Sequence, residues 1–189
     1  MHSAHPSLSD AAIGRIAARI DRPVALVGLM GVGKSTVGRK LAALIGADFV
    51  DADEAIEEAA GMTVSEMFER FGEAHFRDGE RRVIARLIDE GHGVIATGGG
   101  AFVNDETRAL LIGRAIAVWI DCPIDILVER TARRDTRPLL KAGDPGEILR
   151  RLHRERAGFY AEAPIHVTSA PGPHLDTALH IIEAIDQWL

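Results

Sequence analysis

The sequence has few of the features that mark secreted, membrane-spanning or nucleic-acid-binding proteins. It has one cysteine, Cys122, in 189 residues, so no intramolecular disulfide can form and we expect a reducing compartment. The longest apolar stretch, around residues 23–32, is far shorter than the roughly 18 residues that a membrane span needs. Positive charge is also in deficit: 22 Lys and Arg face 28 Asp and Glu, and the net charge of −6 repels polyanions.

The remaining composition is that of one ordinary globular domain, with 47% hydrophobic and 26% charged residues. The first residues do not show a basic segment followed by an apolar one, which is the pattern of a secretory signal. We therefore expect a cytoplasmic protein that binds neither membranes nor nucleic acids. The net negative charge mildly favours a monomer.

Short apolar runs alternate with longer amphipathic segments along the chain. This alternation is typical of a parallel sheet covered by helices on both faces. Five strands are predicted, at 23–27, 47–50, 93–97, 115–120 and 165–168. The helices that connect and follow them are predicted at 34–45, 53–60, 65–90, 106–111, 124–130, 145–162 and 175–189.

One further helix is predicted before the first strand. Apolar residues recur at helical spacing between Ser7 and Asp21, after Ser9 as a possible cap, and packing is its expected role. We accordingly divide the chain into an N-terminal extension, residues 1–21, and a single domain, residues 22–189.

The first predicted strand is followed by a phosphate-binding motif. Residues 28–36 match G-x-x-x-x-G-K-[ST] and open a helix, which is the context that this motif requires. Its glycines turn backbone N–H groups towards phosphate oxygens, Lys34 adds a positive charge, and Ser35 offers a hydroxyl to Mg²⁺. The predicted nucleotide contacts are Gly31, Val32, Gly33, Lys34, Ser35 and Thr36.

Carboxylates and glycines follow three other strands, at the sheet edge where ligands of such folds bind. Asp51 and Asp53 end the second strand and Asp121 ends the fourth, so either place can supply the further oxygen ligand that Mg²⁺ requires. Both places can also be helix caps. The third strand ends in Gly98–Gly100, whose bare backbone can lie against a ligand.

Three arginines are placed where they could hold a second, anionic ligand. Arg77 has Glu80 three residues later on the same helix face, where the carboxylate can orient the guanidinium. Arg156 lies on a later helix, and Arg137 lies in an arginine-rich loop, residues 132–143. That loop is either a solvated surface or a mobile flap over an anion.

At this point the sequence resembles the shikimate kinases, small P-loop kinases of the nucleoside-monophosphate-kinase fold. The resemblance extends from about residue 23 to the C-terminus and depends on several motifs in the same order. These motifs are the phosphate loop, D-x-D at 51–53, F-R-x-x-E at 76–80, G-G-G at 98–100, R-P-L-L at 137–140 and R-x-x-x-Y at 156–160. It implies a three-layer αβα fold with a five-stranded parallel sheet, a substrate-binding region at about 51–91 and a mobile lid at about 132–143.

The resemblance also implies a role for each matching residue. Asp51 and Ser35 would serve Mg²⁺, and Asp53 would bind the hydroxyls of shikimate and take a proton. The shikimate carboxylate would be bound by Arg77 and Arg156, with Glu80 in support. The backbone of Gly98, Gly99 and Gly100 would contact the substrate, and Phe68 and Phe76 would form an aromatic wall beside its ring. Arg137 would be an arginine of the lid that reaches the transferred phosphoryl group, and Arg130 would contact adenine.

The implied reaction is transfer of the γ-phosphoryl group of MgATP to the 3-hydroxyl of shikimate. Two rivals remain open: a kinase of another small hydroxy acid such as gluconate, and a non-catalytic, ATP-dependent regulatory module. The sequence departs from the family pattern in three places. Residues 169–172 have no arginine near the expected adenine site, the N-terminal helix is additional, and Arg133 and Arg134 replace smaller residues that are common in the lid.

Overall fold

Five parallel strands form one sheet in the order β2-β3-β1-β4-β5. The computed structural model describes residues 8–132, 143–169 and 171–189. The strands are β1 Val24–Val27, β2 Phe49–Asp51, β3 Val94–Ala96, β4 Ile116–Asp121 and β5 Ile165–Thr168. All five predicted strands are confirmed. The largest shift is at β2, which begins at Phe49 rather than at residue 47.

Helices connect and cover the strands as the periodicity predicts, with one addition. A short 3₁₀ turn, Ala101–Val103, follows the three glycines and was not predicted. The helices are α1 Asp10–Ala17, α2 Lys34–Ile45, α3 Ala52–Ala60, α4 Val64–Asp89, α5 Asp105–Arg114, α6 Ile124–Ala132, α7 Pro145–Tyr160 and α8 His174–Trp188.

The sequence predicts α4 as one continuous helix, but it consists of two helical segments. Gly72 has φ 80° and ψ 171° in its interior, a conformation in the left-handed half of φ space that interrupts helical geometry. The first segment begins with a capping box, in which Thr63 and Glu66 bond each other's backbone N–H groups. The kink lets the two segments point differently while both contribute residues to the same cavity.

The predicted N-terminal helix forms over a shorter range than expected. Ser9 caps α1 by accepting a hydrogen bond from the N–H of Ala12, at 3.2 Å. Ile13 and Ile16 are buried in the main core, and α1 contacts α2 and α8. These contacts show that α1 packs against the domain, which is the role expected of it. The predicted start at Ser7 lies outside the described residues.

The sheet centre is buried on both faces, as a doubly covered parallel sheet requires. Every residue of β1 is fully buried, whereas the edge strand β5 alternates buried and exposed residues. Parallel pairing brings the carboxyl ends of β2, β3 and β1 side by side, so the loops that follow them meet at one edge. Within the described residues, no helix is long and apolar enough to cross a bilayer.

Candidate active site

A cavity of about 890 Å³ lies at the carboxyl edge of the sheet and collects most of the predicted site residues. Its walls include Gly31, Gly33, Lys34, Ser35, Thr36, Asp51, Asp53, Phe68, Phe76, Arg77, Gly98, Gly99, Gly100, Arg130 and Arg156. Val32 does not line it; this residue is buried, and its carbonyl faces the guanidinium of Arg130 at 3.4 Å. Arg137 and most of the arginine-rich loop, residues 133–142, lie outside the described residues.

The phosphate-binding loop occupies one end of this cavity. Gly31 and Gly33 have φ of 86° and 95°, which a residue with a side chain rarely adopts, so the loop depends on glycine there. The ammonium of Lys34 donates hydrogen bonds to the carbonyls of Gly28 and Leu29, at 2.6 and 2.9 Å. These contacts hold a positive charge inside the loop, at the start of α2, where the helix dipole adds to it.

Asp51 caps a helix and also faces the phosphate-binding loop. One carboxylate oxygen caps α3 by accepting hydrogen bonds from the N–H groups of Asp53 and Glu54, at 3.0 and 3.3 Å. The other oxygen accepts a hydrogen bond from the hydroxyl of Ser35, at 2.5 Å. Hard oxygen atoms from two elements therefore meet at the phosphate-binding loop, and oxygen is the ligand type that Mg²⁺ prefers.

The other carboxylate considered for the metal, Asp121, does not line the cavity. It accepts a hydrogen bond from the N–H of Cys122 at 2.8 Å and lies 3.5 Å from His153 and 3.8 Å from His166. Of Asp51 and Asp121, only Asp51 therefore lies beside the phosphate-binding loop. We call this end of the cavity, lined by residues of the loop, the nucleotide end. In the described parts of the chain, no cluster of three or more His, Cys, Asp or Glu residues could hold a metal ion by itself.

Two carboxyl groups lie against the glycine backbone after β3, the half-buried Asp53 and the buried Glu80. Burial raises the pKa of Asp53, and the charge of Asp51 raises it further, while Lys34 and Arg77 oppose the shift. Burial likewise raises the pKa of Glu80, against the opposing effect of Arg77. A carboxyl group with a raised pKa is a stronger base than an exposed one, which suits it to accept a proton from a hydroxyl.

Two arginines, Arg77 and Arg156, line the same cavity as the phosphate-binding loop. Arg77 donates to Glu80 at 2.8 Å, and its guanidinium lies over the rings of Phe68 and Phe76, 5.7 and 5.2 Å from their centroids. Those two rings are 4.6 Å apart and tilted, and both line the cavity. Arg156 reaches the same cavity from α7. Two guanidinium groups beside an aromatic pair can bind the carboxylate of a small cyclic molecule.

Side chains of the cavity pack against the three glycines after β3. A Cβ at Gly98 would lie 2.7 Å from an Asp53 carboxylate oxygen, and a Cβ at Gly100 would lie 2.3 Å from the Arg77 guanidinium. A Cβ at Gly99 would lie 3.6 Å from Arg156. The sequence predicts that bare backbone contacts a ligand; the structure adds that predicted functional side chains pack on this backbone.

Sequence reasoning missed several residues at the nucleotide end of the cavity. His174, at the start of α8, lies so close to the phosphate-binding loop that a Cβ at Gly33 would be 2.9 Å from its ring. Ile126 and Glu129 line the cavity and were missed as well, whereas Pro171 and Gly172, which also line it, belong to the loop expected near adenine. No local pattern marks Ile126, Glu129 or His174, because the fold alone brings them beside residues 31–36.

Comparisons with known proteins identify the family of the chain. The family model described as shikimate kinase matches residues 30–186. A curated shikimate kinase from Novosphingobium aromaticivorans is 60% identical in an alignment of 186 residues that covers 96% of each chain. The structure of a shikimate kinase from Acinetobacter baumannii in complex with shikimate is 36% identical, with a TM-score of 0.84 over 95% of this chain and 98% of that one.

A more distant structure separates likeness of fold from likeness of function. A gluconokinase from Sinorhizobium meliloti has a TM-score of 0.59 over 90% of this chain and 97% of its own, but only 17% identity. That similarity shows a shared fold alone. Family match, sequence identity and structural similarity all agree, and the chain belongs to the shikimate kinase family.

Proposed function

We propose that this cavity transfers the γ-phosphoryl group of ATP, held with Mg²⁺, to the 3-hydroxyl of shikimate. Phosphorylation of shikimate is the activity of the family to which the chain belongs. The observation that carries the residue-level proposal is that Lys34, Asp53, Arg77 and Arg156 face one cavity. The chain is proposed to act as a monomer, which its net charge of −6 mildly favours.

The protein's own contribution to phosphoryl transfer is positioning and charge neutralisation. Arg77 and Arg156 would bind the shikimate carboxylate, and Phe68 and Phe76 would contact the ring. Asp53 would accept a hydrogen bond, and finally the proton, from the attacking hydroxyl. Its raised pKa, caused first by burial, supports that role.

At the other end, the loop backbone and Lys34 would bind the β- and γ-phosphates. The residues present suit Mg²⁺, because Ser35 and Asp51 bring oxygen atoms together at 2.5 Å beside the loop. When bound, Mg²⁺ would neutralise charge on the phosphate oxygens. Arg130, which lines this end, is proposed to contact adenine, and Arg137 is proposed to reach the transferred group as part of the lid.

The reaction is tested by measuring ADP release with shikimate, with gluconate and with neither acceptor, each with and without a chelator. We expect release only with shikimate and Mg²⁺. NMR of the product, through coupling between phosphorus and the ring proton at carbon 3, gives the position of the new ester. A phosphate on another hydroxyl, or faster turnover of gluconate, would overturn the assignment.

The carboxylate contacts are tested by two arginines of the same helix. Arg77→Ala should raise the KM for shikimate by at least about tenfold, because a charge-assisted hydrogen bond contributes about 1.5–3 kcal/mol. Arg81→Ala is the matched control, since Arg81 also pairs with carboxylates, Asp78 and Glu106, but does not line the cavity. Equal KM values for the two variants would remove Arg77 from the binding site.

A further inference from the structure

The glycine segment after β3 is held from behind by side chains that do not line the cavity. The hydroxyl of Tyr160, on the last turn of α7, donates a hydrogen bond to the carbonyl of Gly99. Tyr160 is 1% exposed and packs against Trp119, with ring centroids 5.9 Å apart. Burial raises the pKa of Tyr160, despite the nearby guanidinium of Arg156. The raised pKa favours the protonated hydroxyl, which is the form that donates this hydrogen bond.

Arg108, near the start of α5, makes a second connection between the glycine region and α7; we call each of these connections a tie. Its guanidinium donates to the carbonyls of Phe102 and Val103, at 3.2 and 3.1 Å, in the 3₁₀ turn that follows the glycines. The same group pairs with Glu162, at 2.8 Å, and lies over the ring of Phe159, 5.0 Å from its centroid. The guanidinium of Arg108 thus joins the 3₁₀ turn that follows the glycines to the end of α7.

The two ties converge on the same two elements. Tyr160 joins Gly99 to α7 from one side, and Arg108 joins the following turn to α7 from the other. Arg156 lies one turn earlier on α7 and packs beside Gly99, while Arg77 packs on Gly100. The backbone of this segment therefore sets the separation between the two arginines that face the acceptor.

We propose that Arg108 and Tyr160 are positioning residues for the acceptor site. They hold the glycine segment and α7 as one unit, so that Arg77, Arg156 and the glycine backbone fit one carboxylated ring together. This inference rests on the proposed function, because it takes shikimate as the acceptor. Neither Arg108 nor Tyr160 bonds the phosphate-binding loop, which has hydrogen bonds of its own from Lys34 to the carbonyls of Gly28 and Leu29, so we expect binding of the nucleotide to be unaffected.

The test compares steady-state kinetics and Tm for Tyr160→Phe, Arg108→Lys and Arg108→Ala. Arg114→Ala is the matched control, since Arg114 lies on the same helix and pairs with Asp89, at 2.5 Å, away from the glycines. We expect the KM for shikimate to rise about tenfold in Tyr160→Phe and Arg108→Ala, the scale of one lost hydrogen bond. The KM for ATP should be unchanged. Arg108→Lys, which keeps the charge but loses the fork, should show a smaller rise.

A purely structural role would lower Tm and leave the KM for shikimate unchanged, and this result would overturn the proposal. An equal rise in both KM values would also overturn it, because the nucleotide end would then depend on the same ties. If Arg108→Ala does not fold, Tyr160→Phe and Arg108→Lys decide the question. The wild-type product assay stands apart: phosphate on the wrong hydroxyl overturns the proposed function, whereas an unmoved KM in active variants overturns only this inference.

Discussion

The two ends of strand β2 carry aspartates whose surroundings act on them in opposite directions. Asp48, just before the strand, accepts a hydrogen bond from the N–H of Gly93 at 2.7 Å and lies 2.5 Å from His92. The hydrogen bond from Gly93 is the main cause of a lowered pKa for Asp48. Asp53, two residues beyond the other end, has a raised pKa, and burial is the main cause.

This difference separates charge that stabilises the fold from charge that serves the reaction. At the amino end, the folded protein favours the ionised form of Asp48, so ionisation contributes to stability. At the carboxyl end, burial disfavours the ionised form of Asp53, so its charge costs stability. Buried carboxyl groups with raised pKa values are typical of catalytic sites, where function and stability conflict.

The largest effect is expected from Asp53→Asn. It should lower kcat/KM by about 10² or more, since the reacting hydroxyl loses its proton acceptor. It should also raise Tm at neutral pH, because a raised folded pKa means that stability is lost as pH rises through that pKa. The Tm advantage should shrink as the pH falls through the folded pKa and should be absent below about 3.9, the unfolded value. Thermal unfolding between about pH 3 and pH 8 and steady-state kinetics measure both effects.

The opposing effects of Asp53→Asn make the test strict. Near-normal turnover would remove Asp53 from the chemistry. A fall in Tm at neutral pH would show that the ionised carboxylate stabilises the fold there, and the contrast between the two ends of β2 would then fail.

A second prediction concerns glycine at the amino end of β3. Gly93→Ala should lower the free energy of unfolding by about 1–3 kcal/mol, the usual cost of overpacking. The new Cβ would lie 2.4 Å from the Cβ of Ala47, which has no rotamer by which to move away. Denaturant unfolding gives the value, while kcat/KM of the folded variant should remain at the wild-type level. A large loss of activity at unchanged stability would contradict this assignment.

The third prediction concerns glycine at the carboxyl end of the same strand. In Gly100→Ala the new Cβ would lie 2.3 Å from the guanidinium of Arg77, which can move because it is the far end of a flexible side chain. We expect a change in stability below about 1 kcal/mol but a KM for shikimate raised by about tenfold. Titration with shikimate at saturating ATP measures it. If instead Tm falls as in Gly93→Ala and KM is unmoved, Arg77 does not depend on this glycine.

The strands and the phosphate-binding loop could be predicted from the sequence because their signals are local. Val24–Val27 is a continuous apolar run, and the glycines and Lys34 that follow have fixed spacing. The kink at Gly72 could not be predicted, since a single glycine is tolerated inside many helical patterns. The family motifs further predicted which side chains share the cavity, although no single spacing required it.

What the sequence could not show are contacts between distant residues. The sequence around Arg108 does not indicate that this side chain bonds both Glu162 and the carbonyl of Phe102, just after the glycines. Residues 102, 108 and 162 meet only in the folded protein. The same holds for Tyr160, where the motif identifies the residue but not its partner, Gly99. Side chains behind a site are therefore harder to predict than those that line it.

The smallest effect is expected from Asp48→Asn. The amide oxygen can still accept the hydrogen bond from Gly93, so only the charge is lost, and exposure to solvent limits its effect to less than about 1 kcal/mol. Because the folded pKa of Asp48 is lowered, its contribution exists above the unfolded value and disappears as the pH falls through the folded one. The variant should thus be slightly less stable than wild type at pH 7 and equal to it in acid, the reverse of Asp53→Asn. Thermal unfolding at low and high salt completes the comparison. Screening by salt should reduce the contribution of the exposed Asp48 to stability and leave the effect of the less exposed Asp53 nearly unchanged.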